Sequence, residues 1–105
     1  MNQQNQMVPE EIRMIIVDSD DKFRETTVEY LTQQGYTITG LGSAGDFYQQ
    51  LFSGRCDLAI IDIGLGDQSG LVLAEYVRKN TEARIIMLTS RQDVDARGRE
   101  DLQRA

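Results

Sequence analysis

Three short, unbroken apolar runs constrain what this chain can become: Met14-Ile15-Ile16-Val17, Leu58-Ala59-Ile60-Ile61 and Ile85-Ile86-Met87-Leu88. None alternates polar with apolar residues, so each reads as a strand covered on both faces, the pattern of a parallel sheet between layers of helices. A weaker stretch, Tyr36-Thr37-Ile38-Thr39-Gly40-Leu41, carries β-branched residues and only partial apolarity, as an edge strand would.

Helical signals fill the gaps. Asp20 and Asp21 precede Phe23, Thr27, Tyr30 and Leu31, whose spacing places them on one face, and Gly35 supplies the stop. Ser43 can cap a helix carrying Phe47, Leu51 and Phe52 towards Gly54, and Ser69 precedes an inward stripe of Leu71, Leu73, Ala74 and Val77. Val72 and Tyr76 lie off that stripe, one turn apart, where a contact surface would lie. The predicted order is three strand–helix pairs and a fourth strand, then a helical attempt after Ser90 that Gly98 weakens. Such alternation predicts an α/β doubly wound parallel sheet with right-handed crossovers.

Length and charge narrow the functions. At 105 residues the chain has material for one core, so a separate effector module is expected on another chain. A net charge of -6 argues against direct nucleic-acid binding. Arg91, Arg97, Arg99 and Arg104 are interleaved with Asp93, Asp95, Glu100 and Asp101, which reads as a solvated helix face. The single cysteine, Cys56, excludes an intrachain disulfide and reads as a small packing residue. Residues 1–11 lack both a basic start and an apolar run, so they read as a flexible polar leader, neither signal peptide nor membrane anchor. The expectation is a cytoplasmic domain over residues 12–105.

In an open doubly wound sheet, functional groups gather at the carboxyl ends of the strands, beside the point where strand order reverses. Asp18, Ser19, Asp20 and Asp21 follow the first run, Asp62 closes the Leu58 run, and Thr89 and Ser90 close the last. Carboxylates and hydroxyls on one rim suit a hard cation and an oxyanion, and oxygen ligands suit Mg2+. No glycine-rich phosphate loop follows the first strand and the chain has no histidine, so a nucleotide binder or small α/β enzyme is poorly supported.

Three segments carry a family resemblance: Ile15-Ile16-Val17-Asp18-Ser19-Asp20, the stretch from Asp57 through Asp62-Ile63-Gly64-Leu65-Gly66-Asp67-Gln68-Ser69-Gly70 to Leu71, and Ile85-Ile86-Met87-Leu88-Thr89-Ser90. In order and spacing they resemble the receiver domain of two-component response regulators, from about Arg13 to Ser90. The resemblance implies a flavodoxin-like fold of strand order 2-1-3-4, with the family's fifth strand and fifth helix missing. It implies a phosphoryl group accepted on Asp62 from a sensor histidine kinase or phosphotransfer protein. Mg2+ would be held by Asp18, Asp62 and the backbone carbonyl of Gly64, and Thr89 would be the switch hydroxyl through which an effector on another chain is controlled. Enzymatic activity would be confined to self-phosphorylation and self-dephosphorylation.

The chain also departs from that pattern. Ser19 stands where the family places its direct carboxylate ligand for the metal. Asp20 comes one residue later; in an extended strand it would point to the opposite face, and it substitutes as a ligand only if the chain has already turned into the loop. Gly66 stands where proline is common, Gly70 serves a tight turn into the next helix, and neither Lys22 nor Lys79 follows a late strand to contact a phosphoryl group. The rival reading is a degenerate receiver, a phosphorylation-independent interaction module. Loss of the last strand and helix is expected to uncover parts of the first and third strands and leave the fourth as an edge. A marginal monomer would then assemble as a homodimer or strand-exchanged pair.

Overall fold

The computed structural model describes residues 11–89. They form β1 (Arg13–Val17), α1 (Asp21–Gln33), β2 (Thr37–Leu41), α2 (Ala44–Ser53), β3 (Leu58–Asp62), α3 (Gly70–Asn80) and β4 (Arg84–Leu88). Every neighbouring pair of strands is parallel and the order is β2-β1-β3-β4, the expected arrangement. The leader up to residue 10 and the helix predicted after Ser90 lie outside the described residues.

Each helix starts where a short polar side chain satisfies a free backbone N–H of the first turn. Asp20 accepts from the Phe23 amide at 3.0 Å, Ser43 from that of Asp46 at 3.1 Å and Ser69 from that of Leu71 at 3.1 Å. Helix α1 ends as Gly35 turns the chain with φ 95°, a backbone conformation that suits glycine.

Alternate side chains of each strand serve opposite layers. Ile15 and Val17 of β1, with Ala59 and Ile61 of β3, face α2 and α3, and pack with Ala44, Phe47, Leu65, Leu73 and Val77 into one buried cluster. Met14, Ile16 and Ile60 occupy the other face, and all three are buried. The expected uncovering of the first and third strands is therefore not what is seen: exposure falls on β4, where Ile86 is 47% exposed. The run at Ile85–Leu88 is consequently not covered on both faces, because β4, like β2, is an outer strand among the described residues.

The helix faces need three corrections. In α1 the half-buried residues include Arg24, Thr27, Val28 and Leu31, while Phe23 and Tyr30 are exposed, so the inward stripe is rotated from the predicted one. In α2, Phe47 is fully buried but Phe52 is 89% exposed, and Tyr48 packs against the cluster instead. In α3, Gly70, Leu73 and Val77 face inward while Leu71 is exposed. In α2 and α3 the misplaced residues, Phe52 and Leu71, lie off the inward rows Ala44, Phe47, Tyr48, Leu51 and Gly70, Leu73, Ala74, Val77. In α1 Phe23 and Tyr30 keep helical spacing with Thr27, but the sheet is met by the neighbouring stripe of Arg24, Thr27, Val28 and Leu31. Val72 and Tyr76 are exposed as expected, although Tyr76 also meets the Tyr48 ring edge-on, with centroids 5.1 Å apart.

Candidate functional site

Strand register decides which residues share the rim. Val17 pairs with Leu41 on one side and Ile61 on the other, and Asp62 pairs with Leu88. The residues that come next, Asp18 after β1 and Thr89 after β4, therefore emerge beside Asp62 at the carboxyl ends of three adjacent parallel strands. Asp18, Ser19, Asp20, Lys22, Phe23, Thr26, Asp62, Gly64 and Thr89 line one cavity of about 570 Å³. All the residues singled out from the sequence for the site, Asp18, Asp20, Asp62, Gly64 and Thr89, meet there.

Asp18 and Asp62 are buried, at 6% and 5% exposure. Burial pushes the Asp18 carboxyl above the usual carboxylate range; the hydrogen bond from the Asp20 amide opposes this, and the adjacent Asp62 carboxylate adds to the rise. Neither carboxylate has a Lys or Arg ion-pair partner among the described residues. Asp62 Oδ1 accepts from the Gly64 amide at 3.0 Å, and Asp18 Oδ1 accepts from the Asp20 amide at 2.8 Å. Two buried carboxylates facing each other, beside a backbone carbonyl, make a donor set that fits a hard divalent cation keeping several waters. The set is lean: no group of three or more His, Cys, Asp or Glu side chains able to hold a metal occurs among the described residues.

Ser19 and Asp20 have different tasks from those of an acidic pair. The Ser19 hydroxyl donates to the Gly64 carbonyl at 3.4 Å. The chain has turned into the loop by Asp20, so this side chain does reach the cavity, but one of its oxygens caps α1. Three contributors escaped sequence reasoning. Lys22 lines the cavity from the first turn of α1. The Arg24 guanidinium donates to the Asp18 carbonyl at 2.7 Å and pairs with Asp21 at 2.8 Å, fixing the backbone where β1 ends. Asp67 reaches away from the cavity to the start of α2, accepting from the amides of Ala44 and Gly45 at 3.0 Å each. A lysine or arginine just after a helix cap could have been flagged from spacing; the reach of Asp67 across the fold left no local signal.

The sequence matches the family described as response regulator receiver domain over residues 14–100. This chain belongs to that receiver family. Its relatives include the transcriptional regulatory protein GltR of Pseudomonas aeruginosa, 32% identical over 83 residues that span 76% of this chain and 34% of GltR. Among solved structures, the response regulator TrrA from Thermotoga maritima in complex with Mg(2+)-BeF superposes with a TM-score of 0.67 at 35% identity, covering 74% of this chain and 69% of that one. The crystal structure of the histidine kinase ThkA in complex with TrrA gives a TM-score of 0.70 at 36% identity, with 75% and 69% covered. The receiver spans about a third of the length of the regulatory proteins it matches. No helix among its described residues is long and apolar enough to cross a membrane.

Proposed function

We propose that this receiver is a cytoplasmic phosphoacceptor, taking a phosphoryl group on Asp62 from the phosphohistidine of a sensor kinase and switching a surface read by an effector. The observation that carries the reading is the pair of buried carboxylates, Asp18 and Asp62, at one rim with Thr89 and without a cationic side-chain partner among the described residues. The ThkA–TrrA complex supports a kinase as donor, and the Mg(2+)-BeF complex of TrrA supports Mg2+ as the cation.

Gly64 holds Asp62 Oδ1 through its amide, so Oδ2 is the attacking atom. Its lone pair forms an O–P bond as the P–N bond of the donor breaks, and the electron pair leaves with the imidazole, which takes up a proton. Self-dephosphorylation reverses the outcome: water attacks phosphorus, the O–P bond breaks, and the carboxylate and inorganic phosphate are released. Asp18, Asp62 and the Gly64 carbonyl would hold a Mg2+ ion, which when bound would supply charge neutralisation for the transferring oxygens. Thr89 then turns its hydroxyl towards the phosphoryl oxygens. Its neighbour Leu88 already accepts a hydrogen bond from the Ile63 amide at 2.9 Å, so a shift at the end of β4 is transmitted to the loop after Asp62.

One observation favours the degenerate, phosphorylation-independent reading: the Ser19 hydroxyl occupies the Gly64 carbonyl instead of adding a carboxylate beside it. Intact-mass measurement after incubation with Mg2+ and a small acyl phosphate separates the two readings. A single phosphate adduct that vanishes in Asp62→Asn, and increases in Ser19→Asp, is the expected result. No adduct at any Mg2+ concentration would overturn the phosphoacceptor reading and favour the interaction module.

A further inference from the structure

We infer that Asp67 is a positioning residue for the phosphoacceptor site, holding the loop that carries Asp62 and the Gly64 carbonyl against the start of α2. The inference rests on the phosphoacceptor reading for its meaning, but its geometry is independent of it.

After the Ser43 cap, the amides of Ala44, Gly45 and Asp46 have no intrahelical partner, the first helical bond being that of the Phe47 amide to the Ser43 carbonyl. Ser43 takes one, that of Asp46, and the two oxygens of Asp67 take the others, Oδ1 from Ala44 and Oδ2 from Gly45. The helix already has its own cap in Ser43, so the Asp67 contacts add chiefly to the loop that supplies the carboxylate. A negative group at a helix N-terminus is also favoured by the helix dipole.

The start of that loop is tied by the Ile63 amide on Leu88, the Gly64 amide on Asp62 and the Ser19 hydroxyl on the Gly64 carbonyl. Its base is closed by the Gly70 amide on the Ile63 carbonyl at 2.9 Å, and Leu65 is buried in the core cluster. Between Leu65 and Asp67 lies Gly66, where a side chain would meet open space and where φ is not positive. Nothing in its conformation calls for glycine, so position 66 is a free joint beside the residues that shape the site. Asp67 immobilises the far side of that joint, and the Tyr48 hydroxyl adds a second tie from α2 by donating to Gln68 Oε1 at 2.8 Å. With the tip released, the Gly64 carbonyl and amide are left with the long Ser19 contact, the Asp62 contact and the Ile63 tie to β4, and their placement loosens.

The test uses the full chain with two variants that break the same contact from opposite sides. Asp67→Ala removes the acceptor, and Gly45→Pro removes one donor at a first-turn position where proline is tolerated. The metal-free amide spectrum is recorded first: both variants are expected to move the Ile63 and Gly64 resonances as well as those of residues 44–46. Titration with Mg2+ alone, followed by the same resonances, is expected to show half-saturation raised about tenfold or more, the range for losing an outer support of a metal ligand. Asp67→Asn keeps one acceptor oxygen and should fall between. Resonances of Ile63 and Gly64 that stay in place in both variants overturn the inference, as does an unchanged Mg2+ half-saturation alongside moved resonances. A wild-type chain that takes up neither Mg2+ nor a phosphate adduct sinks the phosphoacceptor reading by itself, while the metal-free spectra still decide whether Asp67 holds the loop.

Discussion

A side chain at position 70 would have nowhere to go, because a Cβ there would overlap the carbonyl oxygen of Asp62 and press on the backbone of Ile63. The sequence marked Gly70 as a turn residue before a helix; contact with the backbone of Asp62 was not visible, since it depends on how closely the α3 start approaches the end of β3. Gly70→Ala should therefore destabilise the fold by about 3 kcal/mol, the upper end for an overpacked site, and remove adduct formation in whatever fraction remains folded. Urea unfolding and intact mass measure the two effects. A stable, fully labelled variant would mean that the approach is looser than described. At the same scale Cys56 is inert: burial raises its thiol to about 11, so little reactive thiolate is present at neutral pH.

Helix α2 contains two phenylalanines five residues apart with opposite fates. Phe47 is fully buried beneath the sheet, whereas Phe52 is 89% exposed beside Leu51 and Tyr76. Truncating a buried aromatic removes its transfer free energy and leaves a cavity, so Phe47→Ala should cost about 3–5 kcal/mol. Phe52→Ala should lie within about 0.5 kcal/mol of wild type. Denaturant midpoints at constant slope compare them directly, and equal losses would contradict the helix orientation. Reading residues by type alone put both on one face; only the three-four periodicity set by Ala44, Phe47, Tyr48 and Leu51 separates them. In α1 spacing itself misled, since Phe23 and Tyr30 share a face with Thr27 yet are exposed, because a helix lying on one edge of a sheet is not obliged to bury its largest side chains.

For the whole molecule, burying Asp18 beside Asp62 at the rim is a standing electrostatic burden on the fold, which burial of the Asp18 carboxyl dominates. A cation that binds only the folded chain should offset it. At a Mg2+ concentration a hundred times its Kd, stabilisation should reach about 2.7 kcal/mol, read as a rise of roughly 4–8 °C in Tm for each kcal/mol in a domain of this size. Chelation should reverse the rise, and Asp62→Asn should abolish most of it. A Tm indifferent to Mg2+ would argue that Ser19 has removed the site's affinity. β4 is one of two outer strands among the described residues, and its exposed Ile86 marks where further packing would act.

The layering of this protein was determined by the sequence alone, because continuous apolar runs at strand spacing leave few alternatives to a parallel sheet, and the acidic and hydroxyl residues that end those runs had to share its carboxyl edge. Local chemistry also announced the three helix caps and the stop at Gly35. What only the tertiary structure decided was which of several apolar side chains each helix turned inward, that the Ser19 hydroxyl settled on the Gly64 carbonyl, and that Asp67 crossed to α2. Those outcomes depend on distances between segments far apart in the chain, and a spacing rule along one segment carries no information about them.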